Sequence, residues 1–230
     1  MSRRAELAAG LAATQARVAE AARAAGRDPD EITITVVTKF FPAADVRHLA
    51  DLGVTDVGEN RHQEAMAKAA DCADLALRWH YIGGLQSNKA AAVAGYADVV
   101  ESVDRSRLVG GLSRGAVERG RDLDCLVQVS LDPPEQRDGR SGVHPDELMA
   151  LADSVATAEG LVLRGLMAVA PLGAEPEAAF DELARLAELL RAQHPEATVL
   201  SAGMSNDLEA AVSRGATHVR IGRAVLGERP

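Results

Sequence analysis

The chain has 230 residues, 47% hydrophobic but only 3% aromatic, and a formal net charge of −9. That length and apolar share suit one domain with a core built from Ala, Leu and Val, and fit an α/β barrel better than two small domains. The acidic balance excludes nucleic acid and an anionic membrane surface as main partners, so any anion site must be local.

Leu7, Leu11, Val18 and Ala22 recur at helical spacing and predict a first helix ending near Gly26. Its opening, Met1-Ser2-Arg3-Arg4 and the apolar stretch 7–13, faintly imitates a signal peptide. Glu6, Gln15 and Arg17 interrupt that pattern, so an amphipathic helix and a cytoplasmic location are expected. Beyond it, strand and helix alternate. Strands are predicted at 32–38, 56–58, 79–82, 98–101, 123–130, 163–168, 198–201 and 217–221. Helices are predicted between them at 43–52, 61–70, 87–94, 105–119, 146–158, 177–193 and 206–214. The stretch 132–142, with two prolines and mixed charge, reads as a loop.

Eight strands with intervening helices predict a single (β/α)8 barrel, preceded by an extra N-terminal helix and occupying 1–230 as one domain. The competing architecture, an open doubly wound sheet, lacks its Gly-rich fingerprint after the first strand. No apolar run approaches the length of a bilayer span. Cys72 and Cys125 form neither a CxxC nor a Cys/His cluster and are expected as reduced thiols. His48, His62, His144 and His194 show no metal-ligand spacing, so no metal site is expected.

The chemistry-bearing residues fall at carboxyl ends of predicted strands, the face where barrel sites are built. Lys39 closes the first. An ammonium at the mouth of a buried strand is costly to desolvate, and desolvation makes the amine nucleophilic, as a Schiff base to an aldehyde requires. Alternation sets Thr33, Thr35, Val37 and Lys39 on one face, assigned to the barrel interior, and His218 with Arg220 on one face of the last strand. Ser201-Ala202-Gly203 ends the seventh strand. After it, Ser205 and Asn206 are placed to cap the next helix, leaving N–H groups for an anion. Gly222 and Arg223 follow the eighth strand, where close backbone approach is allowed. A reactive amine beside a phosphate cradle suggests pyridoxal phosphate. Asn60 either donates to that ring's phenolic oxygen or caps the helix after it. Trp79-His80 either packs under the cofactor or is a satisfied core pair. No catalytic residue set, such as a Ser-His-Asp pattern, is found.

The segments Val36-Val37-Thr38-Lys39, Val57-Gly58-Glu59-Asn60-Arg61, Trp79-His80-Tyr81-Ile82-Gly83 and Leu85-Gln86-Ser87-Asn88-Lys89 resemble the pyridoxal phosphate homeostasis protein family. So do Gly165-Leu166-Met167, Gly203-Met204-Ser205 with Asp207, and Val219-Arg220-Ile221-Gly222. The resemblance spans nearly the whole chain. It implies a barrel related to the N-terminal domain of alanine racemase, with pyridoxal phosphate held covalently by Lys39. It further implies cofactor storage and transfer, with apo-enzymes that use the cofactor as recipients, and no established reaction. Gly84 departs from the family at a common proline, and Arg223 at a small hydroxyl residue.

An arginine facing the pyridine nitrogen, the role given to Arg220, weakens the ring as an electron sink. A racemase also needs an acid/base group opposite the lysine. The sequence ends just after strand eight, and no second domain is expected to supply that group. A monomeric cofactor carrier is therefore the first reading. A racemase-like enzyme and a Schiff-base aldolase acting without the cofactor are the competing ones.

Overall fold

The computed structural model describes residues 2–133, 141–171, 173 and 175–228. Among them the chain begins with α1 (Arg3–Ala24), capped by Ser2, whose hydroxyl accepts from the Ala5 N–H. Then β1 (Thr33–Val37), α2 (Ala43–Asp51), β2 (Asp56–Glu59), α3 (His62–Asp71), β3 (Arg78–Tyr81), α4 (Ala90–Ala94) and β4 (Val99–Val103) follow. The second half runs α5 (Val109–Arg119), β5 (Leu123–Gln128), α6 (Leu148–Ala156), β6 (Leu161–Met167), α7 (Pro176–Gln193), β7 (Val199–Ser201), α8 (Leu208–Ser213), β8 (His218–Ile221) and α9 (Arg223–Leu226).

The eight strands pair in chain order and close into a barrel, every pair parallel. Closure is made by β1 on β8, with Thr35 opposite Arg220 and Val36 opposite Ile221. That pairing rules out the open sheet. The strands read as near-continuous apolar runs because helices cover their outer faces. Two buried apolar clusters fill that layer: one packs β3–β7 against α4–α8, the other packs β1 and β8 against α1, α2 and α9.

Several elements differ from expectation; among the helices, α4 and α5 start only at Ala90 and Val109, each after a 3-10 turn, and α8 only at Leu208. Strand β5 stops at Gln128; Val129 N–H still donates to Met167 O, but Val129 also bridges to Val143, with Ser130 N–H donating to Val143 O and Val143 N–H to Gln128 O. Most of the predicted loop at 132–142 lies outside the described residues. Strand β6 starts at Leu161, earlier than expected, because Leu123 aligns with it across the β5–β6 pair. The short helix α9 is too brief to show periodicity in sequence.

Helix α1 does more than precede the barrel. Gly10 lets it approach α9 so closely that a Cβ would sit 2.6 Å from the Val225 carbonyl oxygen. Arg3 donates to Asp45 on α2 and to the Leu226 carbonyl on α9. Arg17 forms a two-pronged ion pair with Glu209 on α8 and donates to the Ser205 carbonyl at 2.7 Å. The helix thus braces the loops after β7 and β8.

Candidate functional site

A cavity of about 480 Å³ opens at the carboxyl end of the barrel. Lys39, Ser205, Asn206, Asp207, Arg220 and Arg223 supply its polar lining, and Val37, Phe41, Ile82 and Met204 are among its apolar walls. Gly222 also lines it, and a Cβ there would meet the Val37 carbonyl oxygen at 3.2 Å. The ends of β8 and β1 therefore lie against each other, which brings the last loop to the lysine.

Lys39 is half-buried just past β1. Thr38 N–H donates to Gly58 O, and Phe41 N–H returns to Thr38 O, so the chain turns at Lys39-Phe40. Phe40 has φ 72°, the only non-glycine positive φ among the described residues. Lys68 of α3 lies beneath this turn. Its ammonium donates to Thr38 O at 2.8 Å, to Glu59 at 2.7 Å and to Glu64 at 2.6 Å. Burial pushes the Glu59 carboxyl up, against the pull of Lys68 and Thr38.

The loop after β7 turns at Gly203, where φ is +91° and a Cβ would press on Ala211 at 2.8 Å. Arg220 N–H donates to Gly203 O. The N-cap position of α8 is held by Asp207 and not by Ser205 or Asn206, since the helix begins at Leu208; the Asp207 carboxylate bonds back into the loop, accepting from Met204 N–H at 2.6 Å, and caps no helix N–H. Being nearer to Leu208, Asp207 takes the capping place. The N–H groups of Ser205 and Asn206 then have no acceptor among the described residues, and both residues line the cavity. Arg223 occupies the first position of α9, where the helix ladder leaves its N–H unused.

The barrel interior holds a chain of polar side chains. Asp56 accepts from or pairs with His80 Nε2 at 2.9 Å, and His80 Nδ1 lies 2.7 Å from Glu101. Ser201 donates to the other oxygen of Glu101 at 2.6 Å and accepts from Arg220 at 2.7 Å. Strands β4 and β7 are not neighbours, so the Glu101–Ser201 bond runs through the barrel. Burial opposes the charge on His80, but the two carboxylates outweigh it and hold the imidazole at about 9. Burial likewise pushes Glu101 up, yet His80, Arg220 and Ser201 bring it to about 2. His218, deeply buried, is driven down to about 4 by desolvation. Arg220 is also lowered by burial, opposed by Glu101 and Asp207. Its second prong donates to Ala168 O at 2.8 Å. Five donors are available on a guanidinium, so two fixed bonds leave capacity toward the cavity it lines.

Of the predicted site residues, Lys39, Ser205, Asn206, Arg220, Gly222 and Arg223 meet at one cavity. Ser201 lies beneath it, its hydroxyl committed to Glu101 and Arg220. Asn60 is half-buried outside the lining; the N-cap of α3 is Arg61, and the Asn60 side-chain oxygen is buried without a partner. His80 is a satisfied core histidine. Sequence reasoning missed Glu101 and the Lys68–Glu59–Glu64 cluster. A signal existed for the first: Glu101 interrupts Val99-Val100-Glu101-Ser102-Val103, where a lone carboxylate in a buried strand demands a partner. Among the described residues no three His, Cys, Asp or Glu side chains are arranged to hold a metal ion.

A closed eight-stranded parallel barrel with a lysine just past β1, sharing a cavity with the loops after β7 and β8, defines the barrel class of the alanine racemase N-terminal domain. The sequence profile described as alanine racemase, N-terminal domain, matches residues 10–230. Pyridoxal phosphate homeostasis proteins of Mycobacterium tuberculosis and Pseudomonas aeruginosa are similar to the chain throughout. The first is 45% identical over 99% of this chain and 94% of that protein. The second is 44% identical over 97% of this chain and 96% of that protein. Among solved structures, PipY of Synechococcus elongatus with pyridoxal phosphate bound superposes with a TM-score of 0.83 at 36% identity, covering 96% of this chain and 100% of PipY. The chain belongs to the pyridoxal phosphate homeostasis protein family.

Proposed function

We propose that this chain binds pyridoxal phosphate through Lys39 and serves cofactor homeostasis as a holding protein, not a catalyst. The observation that carries the proposal is the sharing of one cavity by Lys39, Ser205 and the Gly222-Arg223 segment. The donor set fits the cofactor: an amine for its aldehyde, a hydroxyl and unused N–H groups for its phosphate, and Val37 and Ile82 as apolar walls for its ring. The cradle is also sterically specific, since Gly203 and Gly222 admit no larger side chain without displacement.

Pyridoxal phosphate would bring an aldehyde to the site, and Lys39 would supply the amine that holds it, with loss of water. Ser205, with the N–H groups around Asn206, Gly222 and Arg223, holds the phosphate. Arg220, anchored by Ser201 and Ala168, would face the pyridine nitrogen and keep it unprotonated, which disfavours carbanion chemistry. Ser201 would act through Arg220, and Asn60, at the end of β2 outside the cavity lining, would offer its amide to the phenolic oxygen. Tyr81 and Tyr96, the two tyrosines of the chain, are absent from the cavity lining, which leaves no phenol facing Lys39. The protein acts as a monomeric single domain in the cytoplasm and passes its cofactor to apo-enzymes.

Borohydride reduction of the loaded protein, followed by peptide mapping, tests this reading. The cofactor should be trapped on the peptide containing Lys39. Trapping on Lys68 or Lys89 refutes it, and Lys68 is already engaged by three acceptors.

A further inference from the structure

We infer that Glu64, acting together with Lys68, is a positioning residue for Lys39: it holds the Phe40 backbone in the conformation that aims the amine into the cavity. The inference rests on the reading of Lys39 as the covalent attachment point. It starts from the φ of 72° at Phe40, a left-handed backbone that disfavours a bulky side chain. A glycine would adopt it freely, so the surrounding structure must enforce it. Glu64 does so directly, accepting the Phe40 N–H at 2.6 Å. The same oxygen accepts from Lys68 at 2.6 Å, and Lys68 also holds the Thr38 carbonyl and Glu59. Thr38 completes the set by donating its hydroxyl to Glu59 at 2.6 Å.

The residues before and after Lys39 are therefore both tied to one buried ammonium, itself 6% exposed, on a helix outside the barrel. Arg61 lies over the Phe40 ring at 4.8 Å and holds its outer face. Burying Lys68 and Glu59 is costly, and the bonds this cluster makes to the chain outside itself go to Thr38 and Phe40, the two residues that flank Lys39. Near-attack placement of an amine depends on its backbone to within a fraction of an ångström, so a looser turn lowers condensation without altering the phosphate cup.

Glu64→Ala, Glu64→Gln and the unaltered full chain are compared with two probes. Pyridoxal phosphate reports both binding and condensation, the latter through its visible absorbance band. Pyridoxine 5′-phosphate, with an alcohol in place of the aldehyde, reports binding alone. In Glu64→Ala the fraction of pyridoxal phosphate held covalently should fall about tenfold, the worth of one hydrogen bond to a charged acceptor. Pyridoxine phosphate affinity should stay within about twofold. Glu64→Gln, which keeps an acceptor for the Phe40 N–H, should recover most of the covalent fraction.

Equal weakening of both probes, or an unchanged covalent fraction in Glu64→Ala, overturns the inference. Glu64 is 24% exposed at its side chain, and Glu64→Asp, which keeps the charge but shortens its reach, gives the same comparison where the alanine variant does not fold. An unaltered chain whose cofactor is trapped away from Lys39 refutes the reading of the site itself. Trapping at Lys39 with an indifferent Glu64→Ala refutes the positioning role alone.

Discussion

The buried His80 makes the stability of this barrel depend on pH between 6.5 and about 9. Both ring nitrogens meet carboxylates, Asp56 at 2.9 Å and Glu101 at 2.7 Å, and the imidazole is held at about 9 against an ordinary 6.5. The folded-state value lies above the unfolded one, so the contribution is complete below pH 6.5 and is lost as pH rises through about 9. At about 1.36 kcal/mol per pH unit, that difference is worth about 3 kcal/mol. Glu101 behaves oppositely: depressed to about 2, it contributes above its ordinary 4.5 and is lost only in strong acid. His218, lowered to about 4, contributes above 6.5 and is lost as pH falls through about 4. Neither titrates between neutrality and pH 9, which isolates His80.

Denaturant unfolding of the apo-protein and of His80→Gln across that window measures the effect. The stability gap between them should shrink by about 3 kcal/mol from pH 6.5 to above pH 9, equivalent to a fall of about 6–12 °C in the melting temperature of the unaltered protein. The imidazole resonances of His80 should report a charged ring at pH 8. A gap that stays constant across the window, or a neutral His80 ring at pH 8, refutes the argument that the two carboxylates outweigh burial.

Three further outcomes follow from the cavity and the barrel wall. Ser205→Ala should weaken pyridoxal phosphate binding about tenfold while barely affecting unphosphorylated pyridoxal, because one bond to a charged group is removed; equal losses for both ligands would assign Ser205 to folding or to the ring. Arg17→Ala frees the Ser205 carbonyl, 2.7 Å from the guanidinium, and should cost about threefold in pyridoxal phosphate affinity with none for pyridoxal. Titrations showing no difference between the two ligands would deny α1 its bracing role. Gly165→Ala should destabilise the fold by about 3 kcal/mol or more, since φ is +151° and a Cβ would lie 1.8 Å from the Val199 carbonyl oxygen. An unfolding midpoint within experimental error of the unaltered protein would contradict that packing.

The sequence by itself determined the alternation of elements, the barrel and the residues that end its strands. Strand periodicity is local, so the interior parity of Thr35 and Val37 on β1 and of Arg220 on β8 could be counted residue by residue, whereas Lys39 lies in the turn past the strand. The loops after β7 and β8 were legible because Gly203 and Gly222 stand out where a backbone must turn or approach closely. What only the tertiary structure decided is the partnership of charges. Glu101 and Ser201 are a hundred positions apart and meet only because the barrel closes, and no local pattern encodes which buried carboxylate faces which cation. The same holds for Lys68, which reads in sequence as an ordinary helix-surface lysine. It becomes the anchor of the Lys39 turn because α3 packs its residue face against the ends of β1 and β2, where desolvation leaves an ammonium no stable state except one with its acceptors in place.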